Sequence, residues 1–425
     1  MTLIAIFIAL VFLHSLVSRR LERTLVTAPI VFTAAGILAL LMLPELRERP
    51  VDLAAFLRVA EVGLVLLLFT DASRTDLRVL KNLRNLPVRL LSTGMLLTLL
   101  LGGLGALVIF RQLSIWEAGI LAAILAPTDA GLGQIIVNSP RVPMKIRQAL
   151  NVEAGLNDGL SVPFLLFFMA LAGANAQEHH ASLTRFIVEQ LGYGTLTGVG
   201  IGLIGGWLLG VARRREWMAH SWQQLGVVTL PLLCAVASEA VGASMFIAAF
   251  VAGLAVQVRF KEAGRHSVAF TEEWGQLLNL SVFFLFGLMV ARAWNQFNWT
   301  HALYAILSLT VVRMLPVAIA LIGTRLSRAT VLFMGWFGPR GLASIVLGLV
   351  YLEQEAHQPG ESTIRLTVMA TVLLSIFAHG LSAAPGIELY ARKIRTLSPG
   401  VPELEGAEAT RGGRNPILTP QTHHG

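Results

Sequence analysis

Five ionisable residues lie inside long apolar runs of this chain: Asp129, Glu153, Asp158, Arg313 and Arg340. A charge at mid-bilayer costs at least ~2.5–3.5 kcal/mol on insertion scales, so each needs a partner or a task. Glu153 and Asn157 are related as i and i+4 and share one helix face, with Asp158 turned about 100° further round. Desolvation favours the neutral form of a buried carboxylate. An aspartate poised between its two forms holds either a proton or a monovalent cation, and that competition alone couples opposite fluxes of the two. The expectation is therefore that Arg340 pairs with Glu153 and silences it, leaving Asp158 as the titrating group. One static polar knot of Glu153, Asp158 and Arg340 is the alternative, and it suits Glu153 better than Asp158.

Two of the charged runs carry helix breakers in the middle. Asp129 stands in IWEAGILAAILAPTDAGLGQIIV, with Pro127, Gly131 and Gly133; Arg340 stands in VLFMGWFGPRGLASIVLGLV, with Gly338, Pro339 and Gly341. Proline removes a backbone donor and leaves its neighbours' groups unpaired. Such breaks persist in a membrane only where they line a cavity or are buried in protein. Asp129 is suited to cap the N–H groups of a half-helix and offset its dipole. Thr128 offers a hydroxyl and a carbonyl, hard oxygens of the kind Na+ accepts. Asp158 and Thr128 are thus candidate ligands of a monovalent cation. Arg313, near Pro316, is expected to balance the charge of the paired break.

The elements that must hold these groups are membrane helices. Of 425 residues, 55% are hydrophobic and 14% are Asp, Glu, Lys or Arg, against a globular norm of roughly 25% charged; mean hydropathy is +0.69. There is too little charge to clothe several soluble domains, so the chain is read as an all-α polytopic membrane protein. Thirteen apolar runs are long enough, at approximately 2–17, 26–43, 54–70, 88–110, 115–137, 147–173, 186–212, 222–239, 242–258, 274–292, 300–323, 330–352 and 364–384. Loops after odd-numbered runs are rich in Arg and Lys, as in Arg74, Arg78, Lys81 and Arg84 or Arg213, Arg214 and Arg215. Basic loops stay cytoplasmic, which gives an outside N-terminus and an inside C-terminus. The net charge of +8 needs no nucleic-acid partner. The single cysteine, Cys234, excludes a disulfide framework.

If the seventh run is a linker, the broken runs are each fifth in a half of six, and the second half is inverted relative to the first. Interrupted segments at matching places in inverted repeats are the best sequence pointer to a secondary-transporter site. Within the seventh run, Gly194, Gly198, Gly202, Gly206 and Gly210 form a ridge that lets another helix approach closely.

APTDAGLG, RQALNVEAGLNDGLSVP and FGPRGLASIVL, followed by VVRMLP, LFGL and SIFAHGLSAAP elsewhere in the chain, resemble the motifs of monovalent cation:proton antiporters of the NhaP and Na+/H+ exchanger group. The resemblance implies about thirteen transmembrane helices in two inverted six-helix repeats with crossed discontinuous helices, N-out and C-in, in a homodimer. It implies dimer-domain halves at 1–87 and 213–299, core-domain halves at 88–173 and 300–385 with breaks at 127–131 and 338–341, and a linker helix at 174–212; the polar, Gly- and Pro-rich end of the chain adds a largely disordered cytoplasmic tail at 386–425. The resemblance also implies that Asp158 binds proton and cation with Asn157 as its partner. Thr128 and Asp129 become the crossing-site pair, and Glu153 and Arg340 the ion pair. Asn157, where a second aspartate would make the exchange electrogenic, implies one cation per proton. Ala154 stands where the group commonly has Ser, and Ala130 where it commonly has Pro, so Na+, Li+ and K+ all remain candidates, with Na+ first.

The implied protein is no enzyme and needs no cofactor beyond its transported ions, and a bacterial inner (plasma) membrane is its expected home. A K+/H+ antiporter of the same fold is the nearest alternative, a cation channel a more distant one. An intramembrane enzyme lacks support: there is no HExxH, and His379, just before Gly380, is expected at a helix C-terminus.

Overall fold

The computed structural model describes residues 2–21, 24–43, 53–75, 86–173, 187–260, 269–353, 359–396 and 401–403, and every regular element among them is helical. In chain order these are α1 (Thr2–Leu21), α2 (Ala28–Met42), α3 (Leu53–Arg74), α4 (Leu86–Ile109), α5 (Ile115–Ile124), α6 (Ala130–Val137), α7 (Met144–Gly173) and α8 (Gly194–Arg214, led in by a π-turn from Ile187). There follow α9 (His220–Ala240), α10 (Met245–Arg259), α11 (Ala269–Ala293), α12 (Trp299–Ala320), α13 (Arg328–Trp336), α14 (Leu342–Glu353) and α15 (Glu361–Arg395).

Each of the thirteen apolar runs falls on described helix, and α5/α6 and α13/α14 are the two interrupted ones. Among the described residues, eight helices are by themselves long and apolar enough to cross a membrane, and α2, α5, α10 and α14 are shorter apolar helices. The chain is a multi-pass, all-α membrane protein. Helices apolar on most faces are stable here because side chains that meet no protein meet lipid.

The glycine ridge of α8 lies against α10. A Cβ on Gly198 would stand 2.5 Å from the Ala248 carbonyl oxygen, and one on Gly202 2.7 Å from that of Ala252. Backbone touches backbone along this seam, which only glycine permits. Two apolar clusters hold the rest. The larger runs through α2, α3, α5, α10, α11 and α14. The smaller joins the start of α4, the start of α7, the end of α12, α13 and the end of α15 through Leu90, Ile146, Val317, Phe333 and Tyr390.

The last helix departs from expectation. It does not stop near residue 384 but runs through Pro385 to Arg395, because Ile387, Tyr390 and Ile394 continue a buried stripe onto the smaller cluster. His379 is therefore at mid-helix, not at a C-terminus. Part of the segment expected to be disordered tail is helical, and residues 404–425 lie outside the described residues.

Candidate functional site

The unwound stretches are 125–129, between α5 and α6, and 337–341, between α13 and α14. They touch: the Asp129 N–H donates to the Pro339 carbonyl at 2.7 Å. The Asp129 carboxylate then caps two helices at once. Its Oδ1 accepts from the Gly131 and Leu132 amides of α6 at 2.7 and 3.1 Å, and its Oδ2 accepts from the Leu342 amide of α14 at 2.8 Å. First-turn amides have no partner within their own helix, and both helix ends carry positive partial charge. One buried anion thus answers two helix N-termini.

Glycines make room for this. A Cβ on Gly341 would collide with Asp129 Oδ2, and one on Gly338 with Arg313 Nε. The GPRG run is therefore needed for the side chains that press against it as well as for its bend.

The ion pair differs from expectation. Glu153 is held by Arg313, not Arg340: Nη1 donates to Oε1 at 2.6 Å and Nη2 to Oε2 at 3.0 Å, with both residues buried. Arg340, fully buried, instead donates from Nη1 to the carbonyls of Ala126 and Pro127. The physical reason is that carbonyls freed at the end of α5 are the negative end of a half-helix, and the guanidinium answers that charge directly. Arg313, from α12, passes over Gly338 to reach α7. The two arginines have exchanged the roles that sequence position suggested.

Asn157 braces the first break. Its Nδ2 donates to Thr128 Oγ1 at 2.7 Å, and its Oδ1 accepts from the Thr128 amide at 3.2 Å. Its amide group is committed to shaping the unwound chain. Asp158, the next residue, is different: its Oδ1 is shielded from solvent and has no hydrogen-bond partner among the described residues. Around it stand further carboxylates, Asp129 and Asp71.

Asp71 was missed by sequence reasoning. The third apolar run was cut at Thr70, leaving Asp71 with the basic loop, whereas α3 continues to Arg74. Asp71 packs on α7, where a Cβ on Gly155 would lie 3.0 Å from its own Cβ. A signal was available: an acidic residue joined directly to an apolar run, with Gly155 set between Glu153 and Asp158 to admit it.

The structure thus gathers Thr128, Asp129, Glu153, Asn157, Asp158, Arg313 and Arg340 around the two breaks. Buried polar groups need partners, and here nearly every one has them. Among the described residues, Arg313 Nε, Arg340 Nε and Nη2 and Asp158 Oδ1 are the atoms of this group left over, and of these Asp158 Oδ1 alone is an acceptor, with room in its bonding for a proton or a metal cation.

Comparison with known proteins bears on the family and the fold. Residues 5–388 match the family described as sodium/hydrogen exchanger, transmembrane. A Na(+)/H(+) antiporter of Schizosaccharomyces pombe is 26% identical over 315 residues, covering 65% of this chain and 65% of that protein. A K(+)/H(+) antiporter NhaP2 of Shewanella is 25% identical over 279 residues, covering 64% of this chain and 47% of that protein. The aligned part is thus less than two thirds of either relative's length. Among solved structures, the sodium proton antiporter MjNhaP1 of Methanocaldococcus jannaschii shares the fold, with a TM-score of 0.71 at 20% identity over 93% of this chain and 98% of that one.

Proposed function

The chain belongs to the sodium/hydrogen exchanger family, and from that premise we propose that it is a secondary active antiporter exchanging Na+ for protons. The observation that carries this reading is the unpartnered, shielded Oδ1 of Asp158 beside two broken helices. An ionised carboxylate left so would be costly; a bound proton or cation relieves it, and the two exclude each other. Asp158 is the shared site, Thr128 supplies a hard oxygen beside it, and Asp71 and Asp129 add negative charge that draws a cation in. Asn157 and the Glu153–Arg313 pair hold the frame, and Arg340 anchors the first break. With a single titrating aspartate, one proton leaves for each cation bound, and the exchange is electroneutral.

The architecture that goes with this reading is thirteen transmembrane helices in two inverted repeats, N-terminus out and C-terminus in, in the inner membrane of a cell. The core halves, 88–173 and 300–385, carry the site past the dimer-domain halves, 1–87 and 213–299, of a homodimer. Residues 174–212 are the linker, and the tail follows α15.

A second reading, K+/H+ exchange on the same site, is favoured by one feature: Ala154 offers no hydroxyl toward a small cation. The Shewanella relatives carry a K(+)/H(+) name.

The test is reconstitution in liposomes with an internal pH dye, adding Na+, Li+ or K+ between pH 6 and 9, with and without a potassium–valinomycin clamp. Cation-driven, voltage-insensitive proton movement that is lost in Asp158→Asn is the expected result, and it names the ion. Ohmic current without proton coupling would replace the antiporter with a channel.

A further inference from the structure

His379 and Ser375 of α15 sit one turn apart, both buried, facing the second break. His379 Nε2 lies 2.9 Å from the carbonyl oxygen of Trp336, the last residue of α13. His379 Nδ1 lies 3.0 Å from the Ser375 carbonyl oxygen, so the ring faces a backbone acceptor at each nitrogen. His379 Nδ1 lies 3.1 Å from Ser375 Oγ, and Ser375 Oγ in turn accepts from the Arg340 amide at 2.6 Å. The result is a continuous chain: Trp336 carbonyl, imidazole, serine hydroxyl, Arg340 amide. It ties the last residue of α13 to a residue inside the break.

Further contacts fix the same corner. The Trp336 indole N–H donates to Ser382 Oγ on α15 at 2.9 Å, and its ring lies against the His379 imidazole at 5.0 Å between centroids. Downstream of the clamped amide, the Arg340 guanidinium reaches the Ala126 and Pro127 carbonyls, and the Leu342 amide reaches Asp129. The path of residues 337–341 sets both contacts.

The geometry points to His379, acting through Ser375, as a positioning residue that sets the path of the second break and thereby the shape of the cation site. It touches no ion itself. The inference rests on the antiport reading above.

A positioning role and a purely structural one differ in what they change. Wild type, His379→Ala, Ser375→Ala and the double variant would be reconstituted, and initial proton-flux rates measured against Na+ concentration. Each single variant is expected to raise KM for Na+ by about three- to tenfold, the scale of one lost buried hydrogen bond, with kcat within about twofold. The double variant should be no worse than the worse single, because both break one chain. His379→Gln keeps a donor for the Trp336 carbonyl and should recover part of the affinity. KM unchanged while activity and folded yield fall together would overturn the inference, as would additive effects in the double variant. If His379→Ala does not fold, Ser375→Ala, which removes one oxygen, decides alone between a raised and an unchanged KM. Wild type without cation-driven flux would instead strike the antiport reading, and Asp158→Asn alongside keeps the two failures apart.

Discussion

Arg313 and Glu153, 160 positions apart in sequence, meet through two parallel hydrogen bonds of 2.6 and 3.0 Å, fork to fork, in the interior of the bundle. A planar guanidinium matches a carboxylate in this way, and a lysine does not. Removing one partner strands a buried charge. Arg313→Ala is expected to destabilise the protein by about 3–5 kcal/mol, with Arg313→Lys in between. Thermal unfolding of the purified protein in detergent measures it. An Arg313→Ala protein as stable as wild type would contradict the assignment.

Gly341 and Gly133 form a matched pair for a second prediction. A Cβ at 341 lands on the Asp129 carboxylate, whereas one at 133 meets nothing within 4 Å. Gly341→Ala should displace Asp129 from the Leu342 amide and lower transport by at least about tenfold, the effect of leaving buried groups unsatisfied. Gly133→Ala lies within α6 and should stabilise that helix by up to about 1 kcal/mol, with transport intact. Rates in liposomes and unfolding midpoints distinguish them.

Asp71→Asn removes a carboxylate near Asp158 while keeping its shape. Weaker attraction for the cation should raise the apparent KM for Na+ by about tenfold, the factor for ~1.4 kcal/mol of charge interaction at an effective dielectric near 20. Asp71→Glu should retain most of the affinity. Titrating the initial flux rate with Na+ reads the difference directly.

Glu403 predicts a pH dependence. Its Oε1 accepts from the Ser327 amide at 2.6 Å and the Thr330 hydroxyl at 2.9 Å, at the start of α13. Burial pushes this carboxyl up, but those donors outweigh it and leave its pKa below the usual glutamate value. A depressed carboxyl stabilises the folded state fully above its ordinary pKa and loses that contribution as pH falls through the lower, folded value. Wild type should therefore unfold at a higher temperature than Glu403→Gln at neutral pH, and the gap should close in acid. A gap that widens on acidification would reverse the sign.

Much of the site was legible because its residues are those that lipid does not tolerate. Asp129, Glu153, Asp158, Arg313 and Arg340 stood out by solvation cost alone, and the two breaks by Pro127 and Pro339. Pairing was not legible. Sequence spacing carries no information on whether Arg313 or Arg340 reaches Glu153, since that depends on how α12 crosses the second break and on the space left by Gly338. Asp71 was lost because the end of an apolar run is not the end of its helix. His379 was misplaced because Gly380 reads as a stop signal, whereas here it is a packing site, where an added Cβ would meet Ile30 at 2.6 Å. The glycine ridge of α8 was readable in full, because a four-residue period of the smallest residue puts one bare stripe along a helix, and a bare stripe invites a second helix.

The double cap at Asp129 has a mechanical consequence. Through one side chain and its own amide, a single residue fastens α6 to α14 and one unwound strand to the other. Parting those strands would strip the buried carboxylate of its Leu342 donor, leave the Asp129 amide without the Pro339 carbonyl and uncap the start of α14. The crossing therefore behaves as a welded joint rather than a shutter. On the antiport reading proposed above, any opening toward one side of the membrane or the other comes from tilting the joined half-helices as a single piece against their neighbours, with Asp158 carried along.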